Sequence, residues 1–332
     1  MKEIAQMVSR KKRIAVVLGG GGARGLAHIG VLKALEENRI PITMVVGSSI
    51  GALIGGLYSS GVSVAEMETL AREVDKKWMA KIMVPRFFSP GLIDNRRVFD
   101  FIRDLVGSKN IEQSNIPFAA VATDYATGKE VVLTRGPLTD AIMSSIAIPM
   151  IFQPVYLHDR YLLDGGLSNP LPVSVALEMN AQRILAVNVS PGPEQLTKTI
   201  KTKRTEEIRN ALKKIPWLVT DVASAHTHPS LEHLSLPEPS MLPGAATVSP
   251  SLVNMFMQSV TIATNNLVVE QLRLSRPDVL LSPKIEDYDT LEFHRGREII
   301  QRGYDAAINE MPLIRSRLSG NGFAAKILGV RA

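Results

Sequence analysis

The chain has 332 residues, 45% of them hydrophobic and 21% charged, with aromatic residues at only 5%, no cysteine and a net charge of +6. That length suits one large α/β domain with insertions or two domains, and the composition excludes wholesale disorder and collagen-like repetition. Without cysteine there can be no disulfide, zinc–thiolate site or cysteine nucleophile, a pattern that fits a reducing compartment.

Residues 1–12 form a basic N-terminal segment; with Arg13 included, Lys2, Arg10, Lys11 and Lys12 face only Glu3. The apolar run that follows, Ile14–Leu18, is too short for the core of a signal peptide and reads as a strand buried on both faces. It ends in Gly19–Gly22, and a helix is expected over Gly25–Asn38 with Lys33, Glu36 and Glu37 as its wet edge. The longest uncharged run, Ile40–Ala65, is long enough to span a membrane. Pro41, the β-branched residues that follow it and Gly47-Ser48-Ser49 divide it instead into a strand at Thr43–Val46, a turn and a small-residue helix at Ile50–Ser60. Ser63 followed by Glu66 has the spacing of a capping box. Phe87-Phe88, flanked by Pro85 and Pro90, reads as a membrane-touching loop or a buried plug.

Further helices are expected at Asn95–Val106, Leu138–Ile146 and Val173–Met179. Hairpin-like pairs are expected at Phe118–Tyr125 with Glu130–Thr134 and across Tyr156–Leu163, and a strand at Arg183–Val189. Residues 13–190 thus alternate strand and helix, the pattern of a mostly parallel sheet covered on both faces. From Pro191 the texture changes. Residues 191–250 read as an insertion or lid; its stretch Leu196–Ile215 holds seven basic residues against Glu206 and Glu207, with Trp217 just beyond. Such clusters attract polyanions or simply face solvent. With few aromatics to stack on bases, anionic lipid is the better partner, giving peripheral contact with a membrane and no nucleic acid. Residues 251–332 read as a helical part packed on the same domain. There Leu252, Phe256, Val260, Ala263 and Leu267 share a helical face, a short strand is expected at Asp278–Leu281 and a last helix at Arg295–Ile314. Met241, Met255, Phe256 and Met257 could line a pliable acyl channel or pack in the core.

Three motifs carry the chemistry. Gly20-Gly21-Gly22-Ala23-Arg24-Gly25 joins the first strand to the first helix, and also fits a dinucleotide fingerprint. That reading lacks its acidic partner, because the second strand runs into Gly47-Ser48-Ser49 with no carboxylate. What remains is a loop of approachable amides ahead of a helix N-terminus, suited to holding a negative oxygen. Gly47-Ser48-Ser49-Ile50-Gly51 places Ser49 on a strand-to-helix elbow, where Gly47 and Gly51 remove neighbouring bulk. Asp164-Gly165-Gly166 puts a carboxylate at the end of an apolar strand. None of the six histidines sits in the context of a catalytic base: His28 falls within the first helix, His158 in a turn, His226, His228 and His233 in the insertion, and His294 before a helix. No metal-ligand spacing is present, so no metal and no cofactor are expected.

These motifs, with Ser144–Pro149 and Asp164–Pro172, resemble the bacterial patatin-like phospholipase family, in the branch related to neuropathy target esterase; the resemblance covers about residues 12–190. It implies an α/β fold of three layers, α/β/α, with a mostly parallel sheet and a helical C-terminal extension. It further implies a serine–aspartate pair that hydrolyses acyl esters of phospholipids, lysophospholipids or neutral lipids through an acyl-enzyme. Carried across, Ser49 is the nucleophile, Asp164 the base and Gly20, Gly21 and Gly22 the oxyanion loop, while Arg24 either holds the loop's shape or meets a phosphate. An acyltransferase would use the same serine, and a non-catalytic lipid-binding or regulatory protein could retain the fold. A cytoplasmic location, peripheral to the inner face of the membrane, is expected.

Overall fold

The computed structural model describes residues 12–74, 95–190 and 252–318. Phe87-Phe88, the basic segments up to Lys11 and over Leu196–Ile215, Met241, and His226, His228 and His233 lie outside the described residues. The chain divides into two compact units, Met1–Pro191 with Thr261–Ala332, and Gly192–Val260. Among the described residues no helix is long and apolar enough to cross a membrane.

Among the described residues eight strands build one sheet: β1 (Ile14–Leu18), β2 (Met44–Ser48), β3 (Phe118–Asp124), β4 (Glu130–Leu133), β5 (Val155–Leu157), β6 (Arg160–Asp164), β7 (Arg183–Val187) and β8 (Val279–Leu281). They are hydrogen-bonded in the order β5-β6-β3-β2-β1-β7-β8, with β4 also paired to β3. The section from β3 to β8 is parallel, while β4, β5 and β6 pair antiparallel. Every residue of β1, β2 and β3 is buried, as continuous apolar runs in a doubly covered parallel sheet should be. Their side chains alternate between two cores. Ile14, Val16, Leu18 and Val45 join the larger one, and Ala15, Val17, Met44 and Val46 the smaller.

Against the larger core pack α1 (Ala27–Glu37), α2 (Ile50–Ser60), α3 (Val64–Glu73), α4 (Asn95–Val106), α5 (Leu138–Ser145), α8 (Gly296–Asn309) and α9 (Met311–Leu318). The smaller core is closed by α6 (Val173–Glu178) and by Val268 and Leu272 of α7 (Leu252–Leu274). The result is the expected three-layer α/β/α arrangement. α3 opens on the expected capping box, with Ser63 and Glu66 bonded reciprocally. Two helices differ from expectation. Gly22–Leu26 is a 3-10 turn that precedes α1. The last helix breaks at Glu310, because Pro312 has no amide to donate and its ring would strike the Ile308 carbonyl; α9 restarts with the proline in its first turn.

The edges of β3 decide where the site lies. Backbone groups of alternate strand residues point to opposite edges. Val45 N–H donates to Pro117 O, and Tyr125 N–H donates to Tyr161 O. Residues 117 and 125 are separated by an even number, so β2 and β6 lie along the same edge of β3. Asp124 N–H donates to Lys129 O, which puts β4 on the other edge. β2 runs with β3 and ends at Ser48 opposite Val121; β6 runs against it and ends at Asp164 opposite Ala122. The two strands meet head to head.

α1 and α8 cross at van der Waals contact of their backbones. A Cβ on Gly30 would lie 1.9 Å from Ile300 O, and one on Gly303 would lie 1.9 Å from Ala27 O. Gly303→Ala is therefore expected to lower stability by about 2–3 kcal/mol, the cost of forcing two packed helices apart, read as a reduced midpoint in chemical denaturation.

Candidate active site

The chain leaves β2 at Ser48 and enters α2 at Ile50, so Ser49 alone makes the turn. It does so at φ 56° and ψ −129°, a conformation unusual for a residue with a side chain. The turn is tight enough to require glycine on both sides: a Cβ on Gly47 would stand 2.4 Å from Gly51 O, and one on Gly51 would stand 2.0 Å from Leu18 O. Ser49 is only 5% exposed, and its Oγ donates to Asp164 Oδ2 at 2.6 Å. The head-to-head strand ends have brought together two side chains 115 positions apart.

Asp164 is buried too, at 6% exposure. Its Oδ1 accepts from Gly166 N–H at 2.7 Å, and Thr123 Oγ1 donates to its carbonyl at 2.8 Å. Burial drives its pKa from 3.8 up to about 6; the Ser49 hydroxyl and the Gly166 amide only partly oppose that shift. Among the described residues no histidine bonds to either group. His28 is fully buried, with Nε2 on Gly19 O at 2.8 Å, and desolvation lowers its pKa to about 4. It is therefore neutral, and since a carbonyl can only accept, its Nε2 carries the proton. His158 lies in the β5–β6 turn at φ 50°, and His294 is exposed in a single 3-10 turn.

The glycine loop lies beside this pair. A Cβ on Gly20 would stand 3.2 Å from Ser49 Cβ, and Gly22 and Ser49 line the same pocket. Gly20 N–H donates to Pro170 O at 2.9 Å and Ala23 N–H to Thr290 O at 2.8 Å. Gly22 has φ +59°, and a Cβ there would strike Thr290 O at 2.4 Å. Arg24 is buried, with Nη1 donating to Tyr288 O and Nη2 to Thr290 Oγ1. Its burial, eased by Asp289, lowers its pKa to about 10, so it stays charged. Of the two roles open to it, the contacts seen are those that tie the loop to residues 288–290.

From Ser49 a pocket of about 180 Å³ leads into the protein. Its walls are three apolar stripes at helical spacing: Ile50, Leu53, Ile54 and Leu57 of α2; Met67, Leu70 and Ala71 of α3; Val98, Phe101, Ile102 and Leu105 of α4. Leu26 and Ile29, the stretch Ile146–Phe152, and Leu291 and Phe293 also line it; Met255, Phe256 and Met257 belong to the second compact unit. Sequence reasoning missed these walls, since each stripe alone looks like ordinary core. It placed Ser145 in a resembling block without its role, which is that its Oγ accepts from Ser49 N–H at 2.9 Å, and it missed the loop 288–291, which carries no motif.

Comparison with known proteins finds relatives over most of the chain. The sequence model for patatin-like phospholipases matches residues 16–177. An uncharacterized NTE family protein of Mycobacterium tuberculosis is 31% identical over 326 residues, covering 89% of this chain and 90% of that one. Neuropathy target esterase sws of Drosophila melanogaster is 37% identical over 181 residues, 53% of this chain but 13% of that protein. Lysophospholipase NTE1 of Mycosarcoma maydis is 37% identical over 183 residues, 53% of this chain and 10% of that protein.

The raised pKa of Asp164 is also a statement about stability. The folded state favours the protonated carboxyl, so the charge carries no cost below pH about 4 and its full cost above pH about 6, of the order of 2–3 kcal/mol. Asp164→Asn keeps an acceptor for Gly166 and a donor for Ser49 without the charge. It is expected to melt several degrees above the wild-type protein at pH 8, with the gap closing by pH 4; thermal denaturation at the two pH values measures this.

Proposed function

The chain belongs to the patatin-like phospholipase family, in the branch related to neuropathy target esterase, and we propose that it is a serine hydrolase of lipid acyl esters, acting on lysophospholipids or phospholipids. The observation that carries the proposal is the 2.6 Å contact between Ser49 Oγ and a buried carboxylate, at the head of an apolar pocket.

In the proposed reaction Ser49 Oγ attacks the ester carbonyl carbon and its proton passes to Asp164 Oδ2. The tetrahedral oxyanion collapses, the carbon–oxygen bond of the leaving alcohol breaks, and Asp164 returns the proton to that alcohol. Water then attacks the acyl-enzyme with the same carboxylate as base, releasing fatty acid and freeing Ser49. Because Gly20 N–H and Ala23 N–H are committed to Pro170 and Thr290, and Ser49 N–H to Ser145, the amides of Gly21 and Gly22 are left as the loop's donors to the oxyanion. The N-terminus of α2 adds its positive end. Gly20 would serve by letting the loop pass close to Ser49. The acyl chain would lie along α2, its methylenes against Leu53, Ile54 and Leu57. Arg24 would hold the loop in shape by its grip on residues 288–290.

Support for a lipid substrate is twofold. The family is one of lipid hydrolases, and the pocket offers apolar surface where a polar substrate would find no partners. The Mycosarcoma maydis relative bears the name lysophospholipase, and the match covers 53% of this chain and 10% of that protein.

The test is release of free fatty acid from lysophospholipid, phospholipid and soluble acyl esters. Ser49→Ala and Asp164→Asn are each expected to lower kcat by about 10³-fold or more. Hydrolysis by the wild-type protein is expected to rise with pH through about 6, as Asp164 deprotonates to become a base. Activity of Ser49→Ala near the wild-type level would end the proposal. The pocket makes a separate prediction. Leu53→Trp should cut kcat/KM for decanoyl and longer esters by about 10-fold or more while leaving acetyl esters within about 3-fold, since only the longer chains need the filled space. A chain-length series on soluble esters measures it.

A further inference from the structure

Ser145 lies at the seam where β2 and β6 meet, and it is completely buried. It is the last residue of α5. Its hydroxyl accepts from Ser49 N–H at 2.9 Å and donates to Val121 O at 2.5 Å.

The sheet ladder explains why a hydroxyl is needed there. Along β2 and β3, Val45 N–H donates to Pro117 O, and the parallel register steps both strands forward together. Two residues on, the rung falls on Gly47 N–H and Ala119 O; the next would join Ser49 N–H to Val121 O. The chain turns at Ser49 instead, with φ 56°, and that last rung cannot close. Ser145 Oγ is inserted between its two halves, satisfying a buried donor and a buried acceptor that would each cost about 1–3 kcal/mol if left alone. Space is tight as well, since a Cβ on Gly165 would come within 2.1 Å of Val121 O.

The same short stretch also holds the other strand end. Asp164 N–H donates to Ala147 O at 3.0 Å. Residues 145–147 therefore grip the backbone amides of both Ser49 and Asp164, one through a side chain and one through a carbonyl.

We infer that Ser145 is a positioning residue for the reaction: its inserted hydroxyl fixes the Ser49 elbow at the strained angle that aims Oγ at Asp164, and so sets the rate of the chemical step rather than substrate binding. This rests on the reading of Ser49 as nucleophile.

The experiment compares Ser145→Ala, Ser145→Cys, Ser144→Ala and Ser49→Ala on a short soluble ester, with circular dichroism and thermal melting to score folding. It also follows the rate at which a fluorophosphonate labels Ser49. Ser144 is the internal control, a neighbour whose hydroxyl bonds only within its own helix, to Asp140 O. Ser145→Ala is expected to lower kcat by about 10- to 100-fold with KM within about 2-fold, and to slow labelling by the same factor, as misplacement of a reacting atom does. Ser145→Cys, with a weaker donor and acceptor of similar size, should fall between Ala and Ser, and Ser144→Ala should stay within about 2-fold of wild type. A folded Ser145→Ala protein that loses less than about 5-fold in kcat would overturn the inference, as would a change confined to KM or an equal loss in Ser144→Ala. Should Ser145→Ala not fold, Ser145→Cys decides by whether its kcat falls at constant KM or stays within about 2-fold of wild type. Ser49→Ala separates the two levels: if it stays active, the nucleophile reading fails; if it is inactive while Ser145→Ala is not, only the positioning role fails.

Discussion

The hydrogen bond from the Ser49 hydroxyl to the buried Asp164 carboxylate is the contact on which the other features of the site converge. A carboxylate withdrawn from water needs several donors to stay charged at low cost. Asp164 has two for its side chain, the Ser49 hydroxyl and the Gly166 amide, and they do not offset its desolvation. Incomplete satisfaction destabilises the fold near neutral pH, and it also makes the group a stronger base. An ordinary aspartate, near 3.9, would be a poor partner for a serine; at about 6 Asp164 approaches the 6.5 of an imidazole. On the proposed reading, burial does the work that a histidine does in other serine hydrolases.

The contact exists because two strands stop head to head on one edge of β3. Side chains at strand ends are placed by the sheet and not by a loop, so their separation is set by register: Ser48 opposite Val121, Asp164 opposite Ala122. Such an arrangement leaves a defect, since neither strand continues to pair the backbone between them. Ser145 and the 147 carbonyl close it from the third layer, and Gly165 fits where no side chain could. Rigid elements supported by satisfied neighbours hold reacting groups to within fractions of an ångström, and here the neighbours are supplied by one turn at the end of α5.

Much of this could be read from the residues because it is local. Continuous apolar runs mark the buried strands, Ser63 and Glu66 mark a helix start, and the glycines around Ser49 mark a tight turn, where a Cβ on Gly47 or Gly51 would meet backbone atoms. The break before Met311 was also encoded locally, in Pro312, but the apolar periodicity continues across it and hid it. What could not be read is what the chain assembles from afar. Arg24 finds its partners more than 260 positions away, and no pattern announces them. The pocket takes much of its lining from stripes on three helices that are each indistinguishable from core packing. Ser145 stands in the block Ser144–Pro149 that carries part of the family resemblance, but nothing local gives its role; that comes from a ladder rung missing on another strand.

The pocket and the base are linked through water. Asp164 owes its raised pKa to exclusion from solvent, and Ser49 stands where the apolar walls begin. An acyl chain lying against Leu53, Ile54 and Leu57 would displace water from the side of the site that is still open, strengthening every electrostatic interaction there. It would favour the protonated carboxyl further, so the drive to take the serine proton would grow as substrate seats. A substrate with a short acyl group would leave the channel wet and forgo that gain. Chain length would then act on the rate of bond breaking as well as on affinity, in keeping with an enzyme that spends remote binding energy at the reacting centre. Two loop amides and a helix end would meet the oxyanion in the same dehydrated space, which suits esters, whose leaving alcohols need little help, better than amides.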